Sequence, residues 1–150
     1  MLTYRLVRMI ETHSEELATA LLDATRASNR TAQYVSKVDP DDLKQKVHEI
    51  YQHLGAWLTA KSEADVEKRY LEIGRMRAQQ GVPLSQLLWA IMLVKDTLIE
   101  FLKKESVSNA PFEVFGELQM LQALEEFFDH ALYYAALGHE HAPVKQPIGA

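Results

Sequence analysis

The sequence contains no cysteine, and this absence removes several kinds of chemistry. Disulfides, thiolate metal sites and cysteine nucleophiles are excluded, and a reducing compartment suits such a chain. Long apolar runs are also missing, because the run from Leu87 to Val94 is far shorter than the ~20 residues of a membrane span. Residues Met1 to Arg5 lack the layout of a signal peptide. We therefore expect a cytoplasmic protein without a membrane segment.

Positive charge is scarce as well. Lys and Arg number 16 against 21 Asp and Glu, so the formal net charge is -5 and the pI is about 5.7. Because phosphate binding needs a concentrated basic face, nucleic acid is not an expected partner. The sequence has no nucleophile elbow, phosphate-binding loop or dinucleotide fingerprint. We predict that the protein is not an enzyme and has no catalytic residues.

The six histidines do not follow a known metal-binding pattern. None has a glutamate three residues before it, as helical di-iron sites require, and no His-Glu-x-x-His motif occurs. His48 and His53 are too unevenly spaced to share a helix face. Only the His139-Glu140-His141 stretch offers loose ligands. We expect hydrogen-bonded or solvated histidines, no metal site and no cofactor.

Helical periodicity is the main positive signal in these 150 residues. Apolar residues recur at helical spacing along most of the chain, whereas no alternation typical of a strand is sustained. The length suits one domain with a sizeable core. We predict an all-α fold of about five helices in a bundle, with one regulatory domain over 1–141 and a disordered tail over 142–150.

Proline and glycine mark the predicted helix ends. Asp39 precedes Pro40 as a helix cap, and Pro111 begins the last helix. Gly81, followed by Val82-Pro83, ends one helix before the next begins, and Gly138 is the predicted end of the last helix.

The last helix carries two apolar stripes, although one is enough to join a monomer core. The second stripe would leave large side chains exposed to water, and a homodimer would cover them. We therefore predict a dimer interface in this helix, formed by Met120, Ala123, Phe127, Ala131 and Tyr134.

Four residues of the central helices form a candidate ligand pocket: Trp57, Tyr70, Arg77 and Trp89. Aromatic residues at helical spacing are more often core than pocket wall. Gly74 indicates close helix contact, with space for a ligand as the alternative. For Arg77 we favour a snorkelling side chain over a buried one with a carboxylate partner.

The chain also resembles a known family. The resemblance extends over most of the sequence and is most distinctive from Tyr70 to Arg75 and from Gln80 to Leu84. These residues are similar to the N-terminal domain of RsbR-type proteins, specifically the RsbRD N-terminal domain of RsbT co-antagonists. Further matching positions are His13, Glu16, Leu17, Leu43, Val47, Leu54, Trp57, Leu58, Phe127, Phe128, Asp129, Ala131 and Tyr134.

This resemblance implies a bacterial regulatory module of a stress response or a related phosphorylation circuit. It implies a dimer, a signalling protein as partner and, in some relatives, a haem-free globin-like arrangement. In globin-coupled sensors, a haem-ligating histidine would align with Arg77, and no histidine lies between His53 and His130. RsbR-type proteins continue into a phosphorylatable STAS domain, for which the sequence to Ala150 leaves no room. The chain is either a stand-alone version or a part of a longer protein, and in both cases the phosphorylation function is not expected of these residues.

We therefore predict a non-catalytic sensory or protein-interaction domain of RsbR type, with a small-molecule signal as a further candidate partner. The alternative is a helical protein that binds a small ligand, a metal or haem.

Overall fold

A computed structural model describes residues 8–60, 63–105 and 111–143, apart from the side chains of 52–60, 105, 111–117 and 119–120. The fold is all-α, as predicted. Five helices have 14 residues or more, which agrees with the expected number. The elements are α1 (described over 8–12), α2 (Ser14–Ala27), a 3₁₀ turn (Asn29–Thr31), α3 (Ala32–Lys37), α4 (Pro40–Ala60), α5 (Glu63–Gln79), α6 (Leu84–Glu105) and α7 (Pro111–Glu140).

The predicted start of α4 and the end of α5 are confirmed by their hydrogen bonds. Asp39 caps α4, because its Oδ1 accepts a bond from the Asp41 backbone N–H at 3.0 Å. Gly81 has φ 82°, a conformation that glycine adopts without a Cβ penalty. The Val82 N–H then bonds to the Arg77 carbonyl and the Gly81 N–H to the Ala78 carbonyl, each at 3.0 Å. This pair of bonds is a Schellman motif, and it satisfies carbonyls that the end of a helix leaves unpaired.

The closest helix contact joins α5 to α7, which pack on each other more extensively than any other described pair. A Cβ on Gly74 would overlap the Ala135 carbonyl oxygen and lie 2.8 Å from the His139 backbone nitrogen. A Cβ on Gly138 would overlap the Leu71 carbonyl oxygen. The two glycines thus let the backbones of α5 and α7 touch on both sides of one crossing, and the expected packing role of Gly74 is confirmed.

The prediction that Gly138 ends the last helix is wrong. α7 continues to Glu140, and the His141 N–H still bonds to the Leu137 carbonyl at 3.0 Å. Gly138 lies within the helix because the Leu71 backbone occupies the space where a side chain would be. Gly138 is therefore required by the close contact of two helices. A glycine needed for such a contact cannot be distinguished from a glycine at a helix end by sequence alone.

The remaining helices close the core around this pair. α2 packs on α4, and α6 crosses both α2 and α7. The central part of α6 is buried from Leu87 to Val94 at helical spacing, as its apolar run predicts. None of the helices in the described ranges is long and apolar enough to cross a membrane. The predicted tail from residue 144 onward lies outside the described residues.

Candidate functional site

The most unusual side chain of the core is Arg77, which is 1% exposed. Its Nη1 donates to Asp42 Oδ2 at 3.1 Å and to Gln80 Oε1 at 2.9 Å, and its Nε donates to the Tyr34 hydroxyl at 3.1 Å. These partners come from α3, α4 and the end of α5 itself. A buried charge needs such partners, because removing it from water costs several kcal/mol.

The preferred prediction for Arg77, a snorkelling side chain, is therefore wrong, and the alternative with a carboxylate partner is correct. The guanidinium points into the protein because Tyr34 and Asp42 meet it there. The sequence shows Arg77 on the same helix side as Tyr70 and Ile73, but it does not show which acidic residue faces that side. Burial raises the pKa of Tyr34, whereas the nearby Arg77 charge opposes this rise.

The turn between α5 and α6 is held from two sides. Lys37 Nζ donates to the Gly81 carbonyl at 2.9 Å, and His139 Nε2 lies 2.7 Å from the Val82 carbonyl. Gln86 of α6 also caps the start of α3, because its Oε1 accepts a hydrogen bond from the Tyr34 backbone N–H at 3.0 Å. No local pattern predicts these contacts, which depend on how α3, α6 and α7 are placed around the turn.

A small cavity of about 40 Å³ lies beside Arg77, between α4, α5 and α6. Most of its surface is apolar, and its lining includes Lys46, Tyr70, Ile73, Arg77 and Ala90. The candidate pocket residues Tyr70 and Arg77 are thus brought together. Cofactor and drug-sized sites measure about 300–1,000 Å³, so this cavity does not fit a haem.

The two tryptophans of the candidate pocket are not placed in this cavity. Trp89 lies beside the 3₁₀ turn, where the Arg30 guanidinium stacks 4.3 Å from its ring centroid. This cation–π contact explains its position, because it uses the outer side of α6 and leaves Ala90 toward the cavity. The side chain of Trp57 lies outside the described residues.

The buried tyrosines next to the cavity are held in their neutral form. Burial raises the pKa of both Tyr51 and Tyr70 far above the ordinary value. The Tyr51 hydroxyl donates to the Val94 carbonyl at 2.9 Å, which joins α4 to α6. The ring of Tyr70 packs edge-on against Phe127, with centroids 6.0 Å apart. These contacts explain both side chains by packing.

A second depression runs along the outer surface between α4 and α5. This outer groove measures about 360 Å³ and is lined by charged side chains of α4 and α5, together with Ile73 and Met76. Lys46 and Ile73 line both the groove and the cavity. Two ion pairs cross this seam between α4 and α5: Arg77 with Asp42 at 3.1 Å, and Arg69 with Glu49 at 3.6 Å.

The residues of the predicted dimer interface divide between core and surface. Phe127 is 7% exposed and Ala131 is fully buried within the single chain, so they do not need a second copy to cover them. Both residues face α5, so α5 of the same chain buries them, whereas the sequence pattern predicted burial by a second copy. Ala123 and Tyr134 are half-buried, and the side chain of Met120 lies outside the described residues.

A contact between a serine and a histidine joins α2 to α4 but is not arranged as a catalytic pair. Ser14 Oγ lies 3.1 Å from His48 Nδ1, but Ser14 is only 1% exposed, so its hydroxyl does not face a substrate. Among the residues that the structure describes, no group of three or more potential metal ligands comes together. The contact is explained as a buried hydrogen bond between α2 and α4.

Comparison with known proteins gives one clear result. No curated protein and no solved structure matches the chain significantly. A family model does match: that of the RsbT co-antagonist protein rsbRD N-terminal domain, over residues 15–142. This range contains α2 to α7, the buried Arg77 network and the glycine crossing. The chain therefore belongs to the family of RsbT co-antagonist protein rsbRD N-terminal domains.

Proposed function

We propose that this chain is a non-catalytic signalling module that regulates a bacterial stress response or phosphorylation circuit by binding another protein. The observation that carries the proposal is the family match over residues 15–142, because this range includes nearly the whole described fold. The buried Arg77 is held by structural partners, Asp42, Tyr34 and Gln80, which is compatible with a non-catalytic role.

The family's name points to an RsbT protein as the partner to test. We propose direct contact between this chain and such a protein. The experiment is a calorimetric titration of the purified chain with a purified RsbT protein from the same genome. Saturable binding would support the proposal, whereas a flat titration of two folded proteins would contradict direct contact.

We also propose that the chain forms a homodimer through the outer side of α7. Leu118 and Tyr133 are 58% and 61% exposed, and they are roughly 60° apart around the helix axis. Large apolar side chains left in water favour an interface. Native mass spectrometry measures the oligomeric state and any bound small molecule together, and a bare monomer would contradict the dimer.

The small cavity supports a sensory role as the second candidate function. It lies between the helix that carries the buried arginine and the helices that enclose it. The core therefore has a place where a signal molecule of limited size could bind, and this role is compatible with protein binding elsewhere on the surface.

A further inference from the structure

We propose that the seam between α4 and α5 binds a small aliphatic carboxylate, with its alkyl end in the cavity and its carboxylate beside Lys46. This inference rests on the proposed sensory role and names the class of ligand. It starts from the fact that the cavity and the outer groove share two lining residues, Lys46 and Ile73. A molecule that passes between these residues enters the core at one end and remains in the groove at the other.

The seam is held mainly by side chains. α4 packs mainly on α2, and α5 packs mainly on α7, so side chains rather than close backbone contact join α4 to α5. The Arg77–Asp42 pair at one end is anchored by a buried guanidinium. The Arg69–Glu49 pair at the other end is exposed on both sides, at 39% and 42%. Exposed pairs contribute only about 0–1 kcal/mol, so the seam separates most readily at this end.

The cavity determines the apolar part of the ligand. Its volume of about 40 Å³ exceeds the ~10–15 Å³ that a cavity needs to hold one water molecule, so a small group of atoms fits. A water molecule needs two to four polar partners, and the lining is mostly apolar. The space therefore suits the methyl or ethyl end of a short alkyl chain.

The charges at the entrance determine the polar part. The side chain of Lys46 is half-buried, and its ion pair with Asp42 is long at 3.7 Å. The outer groove adds Lys68 and Arg69, against the carboxylates of Asp65 and Glu72. Arg69 pairs with Glu49, so the charges of the groove largely cancel. Lys46 differs, because its partner Asp42 is held more closely by Arg77, at 3.1 Å. An anion at Lys46 would lie one side chain away from the cavity.

Binding at the seam would be transmitted to α7. Tyr70, Ile73 and Arg77 present one side of α5 to the cavity. Leu71 and Gly74 lie next to these residues on α5 and face α7, where the backbones touch at Ala135 and Gly138. Because no side chain separates the two backbones there, a displacement of α5 by the ligand moves α7 with it.

The test is a nuclear magnetic resonance titration of the full chain with sodium butyrate, acetate and butyramide. We expect saturable shifts at Ile73 and Ala90 with a butyrate dissociation constant on the order of 1 mM. Acetate should bind about tenfold more weakly, because it lacks two methylene groups. Butyramide should also bind about tenfold more weakly, because it has no charge for Lys46.

Two variants, Lys46→Gln and Ala90→Leu, distinguish this site from non-specific anion binding, and Lys44→Gln is the control. Lys46→Gln should weaken butyrate about tenfold and leave butyramide unchanged, whereas Lys44→Gln, on the same helix but away from the cavity, should change neither. Ala90→Leu should abolish butyrate binding by filling the cavity. No saturable butyrate shift in the folded protein, or equal affinities for the three probes, would overturn the inference. If butyrate failed to bind but the RsbT protein still bound, the ligand proposal would be wrong and the proposed signalling function would stand.

Discussion

At the scale of single residues, Arg77 is the clearest departure from an ordinary helical core. It is 1% exposed, whereas its partner Asp42 is 38% exposed. The pair is therefore asymmetric: the positive charge depends on the protein for its partners, and the negative charge keeps contact with water. Mutation of the two residues should have unequal effects, because only one of them leaves a buried charge behind.

We predict that Asp42→Ala lowers the free energy of unfolding by about 2–4 kcal/mol, because it leaves the buried guanidinium without its counter-charge. Arg77→Met should cost less, since the remaining carboxylate is solvated. Asp41→Ala is the matched control, because Asp41 is an exposed carboxylate in the same first turn of α4. Urea unfolding measures all three, and a larger loss for Arg77→Met than for Asp42→Ala would contradict this account.

A second residue-scale prediction concerns Tyr134 and pH. The hydrogen bond from its hydroxyl to Glu63 Oε1, 2.7 Å long, raises the pKa of Tyr134 from the ordinary 10.0 to about 12. Since the folded state holds this proton more tightly than the unfolded state, the contribution to stability is complete below pH 10 and disappears between pH 10 and 12. Glu63→Gln should return the pKa toward 10.0. The measurement is ultraviolet absorbance against pH, with Tyr134→Phe subtracted; an unchanged titration in Glu63→Gln would contradict the assignment.

At the scale of helices, the crossing of α5 and α7 organises the fold. Gly74 and Gly138 remove the side chains that would separate the two backbones, and the neighbouring turn is held by His139 at the end of α7. The helix that lines the cavity and the helix that ends the described fold therefore behave as one unit.

We predict that Gly138→Ala destabilises the protein by about 1–3 kcal/mol through overpacking. In an open helix this substitution would instead stabilise by about 1 kcal/mol, because alanine is the better helix former. We expect the free energy of unfolding to fall, because the Leu71 backbone occupies the position of the new Cβ. Thermal or urea unfolding provides the measurement, with exposed Arg75→Ala of α5 as the control for a harmless helix substitution. A gain in stability would mean that the crossing is looser than the structure shows.

At the scale of the whole molecule, the question is which apolar surface remains for a partner. The single chain already covers Phe127, whose ring packs against Tyr70 and, at 5.1 Å, against Phe128. Leu118 and Tyr133 remain exposed on the opposite side of α7. We propose that a dimer of this chain uses these two residues, and the half-buried Ala123 and Tyr134 stay predicted members of the interface.

We predict that Phe127→Asp unfolds the chain, because an unpaired carboxylate in the core costs several kcal/mol. Leu118→Asp should leave the helical content unchanged and convert the proposed dimer into a monomer. Circular dichroism reports the fold, and light scattering after size exclusion reports the mass. A folded Phe127→Asp protein would contradict its burial, and a folded Leu118→Asp dimer would contradict the proposed interface.

The helical class, most helix limits and the family can be predicted from the amino-acid sequence alone. Helix periodicity, the Asp39 cap and the Gly81 turn are local features, because their hydrogen bonds join residues a few positions apart. The resemblance seen in the residues around that turn agrees with the family match over residues 15–142.

The contacts of each helix face become visible only in the folded chain. It showed that Arg77 points inward to Asp42, that Gly138 marks a crossing rather than a helix end, and that Phe127 is covered by α5. These contacts join residues that are far apart in the chain, so no local pattern encodes them. An apolar stripe shows that a helix face must be covered, and the arrangement of the other helices determines what covers it.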